Sequence, residues 1–530
     1  MRGSATAARP PLIPFVPLTA ALLALATIVA ACSASGSGKS QPTHPDAVVD
    51  HAAPASAADE TRQENARPGS HWQISRPAAL SDLAGYTDRT DVLPGEPVRL
   101  FVSTTQPSFT VTSFRIGWYS GAGGRAVWTS GRLPGMRQPA PTTSSLGTDS
   151  ASAWRPSVTL PTGSWPAGDY LLRLDSSDHH STFVPLTVRS RSTSGRLVLL
   201  NAVTTWQAYN HFGGHSLYAG PTGAYASRAR VVSFDRPYDF GQGAADFVGN
   251  ERPMVELAER LGLPVAYATS LDLEADPSLL NGALGVLSLG HDEYWSPAMR
   301  TELTAARDAG ASLAFFGANA VYRRIRLSPS PLGPDRIETN YKDGYADPIA
   351  RTDPAASTGN WPSPPAADPE STLTGEPYHC NPVSAAMVFT GADSWLVAGS
   401  GLHSGSRLPG QVGSEYDGLG EPHPRPIDLL AHSPVQCRGR PDNSDASWYT
   451  MANGAGVFDA GTSAWVCAID DQCAPGAGGP GARKAITAIS TNLLRAMVMG
   501  RPGAAHPATG AGVPPGYGQG TAAPTGVDTH

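Results

Sequence analysis

The chemistry of this chain concentrates in Gly290-His-Asp-Glu-Tyr-Trp295, where an imidazole, two carboxyls and a phenol stand in consecutive positions. The apolar run Gly285-Val-Leu-Ser-Leu289 before it reads as a strand, and Ser296-Pro297 after it as the cap and first position of a helix. In a parallel α/β sheet, functional groups collect beyond the carboxyl ends of strands. Side chains there alternate with a period of two, so His291 and Glu293 fall on one side of an extended segment. An imidazole beside a carboxylate can move a proton or orient a ligand. That makes the pair a candidate site.

The flanking elements must hold it in place. Residues 297–308 have helical spacing, with Met299, Leu303 and Ala306 on one stripe and Gly310 as C-terminal cap. Ser312-Leu-Ala-Phe-Phe316 reads as a short buried strand that breaks at Gly317-Ala-Asn319. Strand, helix and strand in so few residues imply a right-handed parallel crossover. Upstream, residues 196–203 form another apolar strand, leading into Trp206-Gln-Ala-Tyr-Asn-His211. Residues 254–261 read as a helix closed by Gly262, and 265–268 as the next strand. Tyr209, Glu293 and Asn319 are thereby expected on one rim of one sheet.

Several chemistries are excluded or weakened. No serine has the two glycines of a nucleophile elbow. No cysteine stands at the turn 290–293, so glutaminase-type covalent catalysis is excluded there. There is no His-Glu-x-x-His and no close His/Cys cluster, which leaves a conventional zinc site weak. What remains is oxygen-rich: Glu293 with nearby tyrosines, His291 and Asn319. Glu415, in Gly413-Ser-Glu-Tyr-Asp417, is a rival carboxylate.

At 530 residues the chain is long enough for two or three domains. Its net charge is −7 without a basic cluster, which gives a nucleic-acid groove no support. Arg2 and Arg9 precede an apolar run that ends in Val29-Ala-Ala-Cys32. Residues 1–32 read as a lipoprotein-type signal with Cys32 as the lipidated residue, implying a lipid-anchored, extracytoplasmic protein. An ordinary secretory signal is the alternative. Residues 33–68 read as a disordered tether and 501–530 as a disordered tail. Residues 69–189 have the texture of a β-sandwich, and 190–500 alternate strands and helices around a Pro-rich interruption at 327–377. The expected class is therefore all-β followed by α/β. After Cys32, Cys380, Cys437, Cys467 and Cys473 remain, and export with an even count favours disulfides. Three pairings exist; Cys467–Cys473 closes a short loop and leaves Cys380–Cys437.

The chain resembles the large subunit of bacterial N,N-dimethylformamidase and its relatives over roughly residues 113–500. The resemblance is carried by Phe114-Arg-Ile-Gly-Trp-Tyr-Ser-Gly-Ala-Gly-Gly-Arg125, Gly168-Asp-Tyr-Leu-Leu-Arg173 and Trp206-Gln-Ala-Tyr-Asn210. Further on it rests on Gly290-His-Asp-Glu-Tyr-Trp295, Gly317-Ala-Asn319 and Gly456-Val-Phe-Asp-Ala-Gly461. It implies a β-sandwich followed by a class I amidotransferase-like α/β domain that hydrolyses small N-substituted amides. It also implies one ferric iron, with zinc or manganese as lesser alternatives, held by two tyrosines and a glutamate. Carried over by motif, these are Tyr170, Tyr209 and Glu293, with His291 and Asn319 as catalytic neighbours. The expected partner is a small amide-like substrate. Self-association is left open, as is the small subunit that accompanies the characterised enzyme. A non-catalytic, surface-anchored binding protein on the same scaffold is the rival reading.

Overall fold

The computed structural model describes residues 55–517 except 392, 471–472 and 474–479. The expected signal at 1–32, its Cys32 and residues 33–54 of the expected tether lie outside the described residues. The tether expectation is corrected beyond that point, because Ala55–Asn65 is a helix, α1. Its docking face, Ala57, Thr61 and Asn65, has helical spacing but is small and polar, so no apolar stripe announced it. Asn65 Oδ1 accepts the backbone N–H groups of Trp118 and Tyr119, and Glu64 accepts from the Tyr119 hydroxyl and Arg125.

Two sheets then pack face to face. One has β1 (Leu83–Thr87), β3 (Val98–Thr104) and β6 (Val158–Leu160) in the order β1-β3-β6. The other has β2 (Asp91–Val92), β4 (Ser108–Ile116), β5 (Gly124–Thr129), β7 (Gly168–Ser176) and β8 (Ser181–Val188) in the order β2-β8-β7-β4-β5. Alternation along β7 decides where each side chain goes. Tyr170, Leu172 and Leu174 point into the core between these sheets, with Leu100 and Val102. Leu171 points the other way and packs with Val203 and Trp206 of the following α/β portion. The joint is also polar: buried Arg115 donates to Glu259 at 2.7 Å, and Asn201 Nδ2 donates to Asp169 at 2.6 Å.

The α/β portion is built on β9 (Leu197–Asn201), α2 (Val203–Tyr209), α3 (Arg252–Arg260), β10 (Val265–Thr269) and β11 (Gly285–Ser288). It continues with α4 (Pro297–Ala309), β12 (Ser312–Phe315), β13 (Tyr378–Val388), β14 (Arg407–Asp417), β15 (Ile427–Cys437), β16 (Arg440–Thr450), β17 (Gly456–Asp459) and α5 (Pro480–Val498). The seven-stranded sheet runs β10-β9-β11-β12-β17-β16-β15. Its first five strands are parallel and the last two antiparallel. Both faces are buried: Leu197 and Leu199 belong to one apolar cluster, Val198 and Leu200 to the other. Chain order reverses between β9 and β11, and the carboxyl ends of two such strands open a crevice where ligands bind. The structure is thus mixed α/β, and nothing in its topology singles out the amidotransferase class.

The expected helix at 297–308 is α4, capped by the Ser296 side chain and by Gly310 in the left-handed region. Two antiparallel pairs, β13–β14 and β15–β16, fill the span after the Pro-rich interruption. Both expected disulfides are formed, Cys380–Cys437 and Cys467–Cys473. The tail expectation is corrected as well. Residues 502–517 pack on the body, His506 stacking on Trp395 and the Tyr517 hydroxyl donating to Asp445.

Candidate active site

The crevice between β9 and β11 collects the residues that the sequence placed on one rim. Tyr209 is the last residue of α2, the short buried helix that leaves β9. After β11 the chain turns at Gly290, whose φ is +57° and whose added Cβ would stand 2.3 Å from the Asn250 carbonyl oxygen. Gly317 approaches so closely that a Cβ there would meet Gly290 O at 1.6 Å. Only glycines let the turns after β11 and β12 close on each other. The backbone of Glu293 is pinned from both sides, its N–H donating to Thr205 Oγ1 at 2.9 Å and its carbonyl accepting from Arg323 N at 2.7 Å.

Three side chains bring their oxygens together there. The Tyr209 hydroxyl is 2.8 Å from Glu293 Oε2, and the Tyr218 hydroxyl is 2.8 Å from both Glu293 carboxylate oxygens. The two hydroxyls are 2.9 Å apart and their rings stack at 4.4 Å. Arg323 Nε donates to Glu293 Oε1 at 3.0 Å, so it holds the carboxylate from the side away from Tyr209. Lys342 Nζ lies 3.5 Å from the Tyr218 ring centre and donates to the Tyr294 hydroxyl. Burial, reinforced by the Glu293 charge, pushes both the Tyr209 and the Tyr218 phenol well above the ordinary tyrosine range.

His291 stands between two carboxylates. Its Nε2 is 3.2 Å from Glu415 Oε2 and 3.6 Å from Glu293 Oε2, as an ion pair without aligned hydrogen-bond geometry. Burial lowers the imidazole pKa, but the attraction of Glu415 and then Glu293 outweighs it and carries the group up to about 9. Burial works to raise Glu415, and His291 with Asn381 and Asn319 overcomes it and holds that carboxyl below its usual value. Asn319 adopts φ +62°, fixed by its N–H donating to Asp417 at 2.8 Å. Its Nδ2 donates to Glu415 at 3.2 Å, while its buried Oδ1 has no partner. A cleft of about 540 Å³ opens onto this set, lined by Tyr209, Tyr218, Gly223, Tyr225, Asn381 and Glu415.

Four of the expected residues, Tyr209, His291, Glu293 and Asn319, are therefore together. Tyr170 is not, which corrects its expected place among the ligands. It lies on the sandwich-core face of β7, stacked on Trp165 at 5.1 Å, with its hydroxyl donating to Pro166 O at 2.7 Å. In the structure the second tyrosine is Tyr218, nine residues after Tyr209 in a Gly-rich loop. Glu415, expected only as a rival, sits across His291 from Glu293. Arg323, Lys342 and Asn381 were missed; no motif marks them.

Among the described residues, no three His, Cys, Asp or Glu side chains are arranged to hold a metal ion. The converging donors are two phenols and one carboxylate. No curated protein matches the chain. A solved Paenibacillus sp. cycloisomaltooligosaccharide glucanotransferase complexed with cycloisomaltoheptaose matches at 16% identity over 23% of this chain and 16% of that one. Its TM-score of 0.14 carries no argument. The family model described as N,N-dimethylformamidase beta subunit-like, C-terminal, matches residues 110–476. That span takes in Tyr209, Tyr218, His291, Glu293, Asn319 and Glu415, and the chain belongs to the N,N-dimethylformamidase beta subunit-like family.

Proposed function

We propose that the protein is an exported hydrolase of small N-substituted amides in which Tyr209, Tyr218 and Glu293 hold a ferric ion. The observation that carries this reading is the convergence of two phenol oxygens on one carboxylate at separations of 2.8 to 2.9 Å. Two oxygens at a right angle on metal–oxygen bonds of about 2.0 Å stand about 2.8 Å apart. One cation can thus replace the two phenol protons with little movement. Hard anionic oxygens suit a trivalent ion better than zinc or copper(I). Family membership supports amide hydrolysis and the amidotransferase-like reading of the α/β portion.

The ion, when bound, would supply a Lewis acid for the amide carbonyl and acidify water. The chain's own groups do the rest. Tyr209 and Tyr218 form one wall of the cleft and keep water off Glu293, which is 1% exposed. Arg323 fixes the orientation of the Glu293 carboxylate through Oε1. Imidazolium at His291 faces Glu415, so a proton held at Nε2 stands ready for the departing amine nitrogen, while the Glu415 carboxylate can accept one from attacking water. Asn319 holds Glu415 through its amide.

Purified protein should carry stoichiometric iron, show a visible phenolate-to-metal charge-transfer band, and hydrolyse N-methylformamide or N,N-dimethylformamide. Metal-free protein that stays colourless and inert after iron loading would overturn the reading. Tyr218→Phe deletes only the donor oxygen and should bleach the band, with activity falling at least about 100-fold. Tyr170→Phe should leave both unchanged, at a cost of about 1 kcal/mol for its lost hydrogen bond. Absorbance and metal analysis of the two variants decide between the tyrosines.

Export is supported by the two disulfides, since such bridges persist in oxidising compartments. No helix among the described residues is long and apolar enough to cross a membrane. Membrane attachment in this proposal falls to a lipid on Cys32. Cys32→Ser should move the protein from the membrane fraction to the supernatant on cell fractionation, and equal retention would remove the anchor from the proposal.

A further inference from the structure

Glu415 shows one carboxylate oxygen to His291 and Asn319 and the other to Asn381, whose Nδ2 donates to Oε1 at 2.9 Å. The backbone produces this last contact by a break in register. Cys380 pairs with Tyr416 and Val383 with Ser414, so Asn381 and Pro382 together stand opposite the single residue Glu415. Two residues against one make a β-bulge, a device that re-aims a side chain and recurs beside active sites. The bulge turns Asn381 toward Glu415 and into the lining of the cleft that holds Tyr209 and Tyr218.

The other end of Asn381 is held by the neighbouring hairpin. Arg438 Nε donates to the Asn381 carbonyl at 3.0 Å, and Arg438 Nη2 reaches Asn381 Oδ1 at 3.3 Å. With its oxygen taken by a guanidinium, the amide has its NH₂ group free for a carboxylate, so both contacts agree on one orientation. Cys380 and Cys437, the residues immediately before Asn381 and Arg438, are joined by a disulfide. The bridge therefore fastens the two backbones at the one place where an arginine from one must meet an asparagine from the other.

We propose that Asn381 is a positioning residue that sets the orientation of Glu415, and that the Cys380–Cys437 bridge seats it, making turnover depend on that disulfide. The inference rests on the hydrolase reading above. Glu415 without Asn381 keeps His291 and Asn319 on Oε2 but has lost the donor on Oε1, so its carboxylate is free to rotate into the cleft. Iron at Tyr209, Tyr218 and Glu293 is untouched by that rotation.

The test uses iron-loaded protein with N-methylformamide. Asn381→Ala should lower kcat about 10- to 100-fold, the range for residues that orient a reacting group, with KM within about twofold. Iron content, charge-transfer band and melting temperature should match wild type. Asn381→Asp keeps the shape but sets a second carboxylate against Glu415, so it should be worse than alanine; a residue that merely filled space would give the opposite order. The Cys380→Ala, Cys437→Ala variant, assayed where it is still folded, should lose kcat by a similar factor, and adding Asn381→Ala should change little more. Unchanged kcat in Asn381→Ala, a milder effect from aspartate, or independent losses from bridge and asparagine would each overturn the proposal. Should wild type hydrolyse no amide, the hydrolase reading fails on its own. A crystal structure of Asn381→Ala then decides the positioning claim: a displaced Glu415 carboxylate upholds it and an unmoved one rejects it.

Discussion

Glu293→Gln is expected to strip the protein of iron and colour and to lower amide hydrolysis at least about 1000-fold, the scale on which a principal electrostatic group acts, while the fold survives. Glutamine keeps an oxygen for Arg323 and removes the charge that two phenolates and a cation need beside them. Alanine at the same position is a harsher change. Glu293 is 1% exposed and Arg323 2% exposed, so deleting one side chain leaves a buried guanidinium with only its remaining partners. Breaking such a pair costs about 3–5 kcal/mol, and Glu293→Ala should lower the melting temperature more than Glu293→Gln, which keeps an acceptor for Arg323. Metal analysis, the visible spectrum and thermal unfolding of the two variants read the two effects separately. Stoichiometric iron in Glu293→Gln would sink the ligand assignment.

The rim itself was legible in the sequence because each member follows a strand that ends in plain view. Leu-Val-Leu-Leu before Asn201, Val-Leu-Ser-Leu before Gly290 and Leu-Ala-Phe-Phe before Gly317 are short apolar runs closed by turn residues, and those features survive any tertiary context. Tyr170 shows where such reading stops. A tyrosine in a strand lies on one face or the other, and a one-residue change of phase sends it to the wrong side. Leu171 faces the α/β portion and Tyr170 faces away, a choice made by the pairing of β7 with β4 and β8. Tyr218 reaches Glu293 from a loop with no periodicity to betray it. Glu415 and Asn381 meet only because the β13–β14 ladder is irregular, and a bulge leaves no compositional mark. The docked helix α1 was hidden for a related reason: its contact face carries Thr61 and Asn65, which read as a solvated linker.

Stability should fall as pH rises from about 5 to 8, the reverse of what paired surface carboxylates produce. Among the described residues, several carboxyls are buried in the core without an ion pair. Burial pushes Asp169 up to about 7, against the opposing hydrogen bonds from Asn201 and Thr187, and it pushes Glu370 up to about 7. Burial also raises Glu376, Asp417 and Asp459, which stand near one another and repel each other's charge. In the unfolded chain these groups titrate near about 4. Between that value and the folded one, the native state holds protons that the unfolded state has released, so unfolding gains as pH rises. The contribution is complete below about pH 4 and is lost as pH passes through 7. For Asp169 alone, a rise from about 4 to about 7 is worth on the order of 4 kcal/mol. Asp169→Asn is the direct check, because an asparagine copies the protonated carboxyl. Its Oδ1 can still accept from Asn201 Nδ2 and Thr187, and its amide takes the place of the Oδ2 that now has no partner. Urea midpoints of the metal-free protein should drop between pH 5 and pH 8 in wild type. Asp169→Asn should exceed wild type by only about 1 kcal/mol at pH 5 and by about 4 kcal/mol at pH 8. Parallel curves for the two proteins would mean that Asp169 is ionised in the fold, and that the joint between β7 and the end of β9 holds a charge rather than a proton.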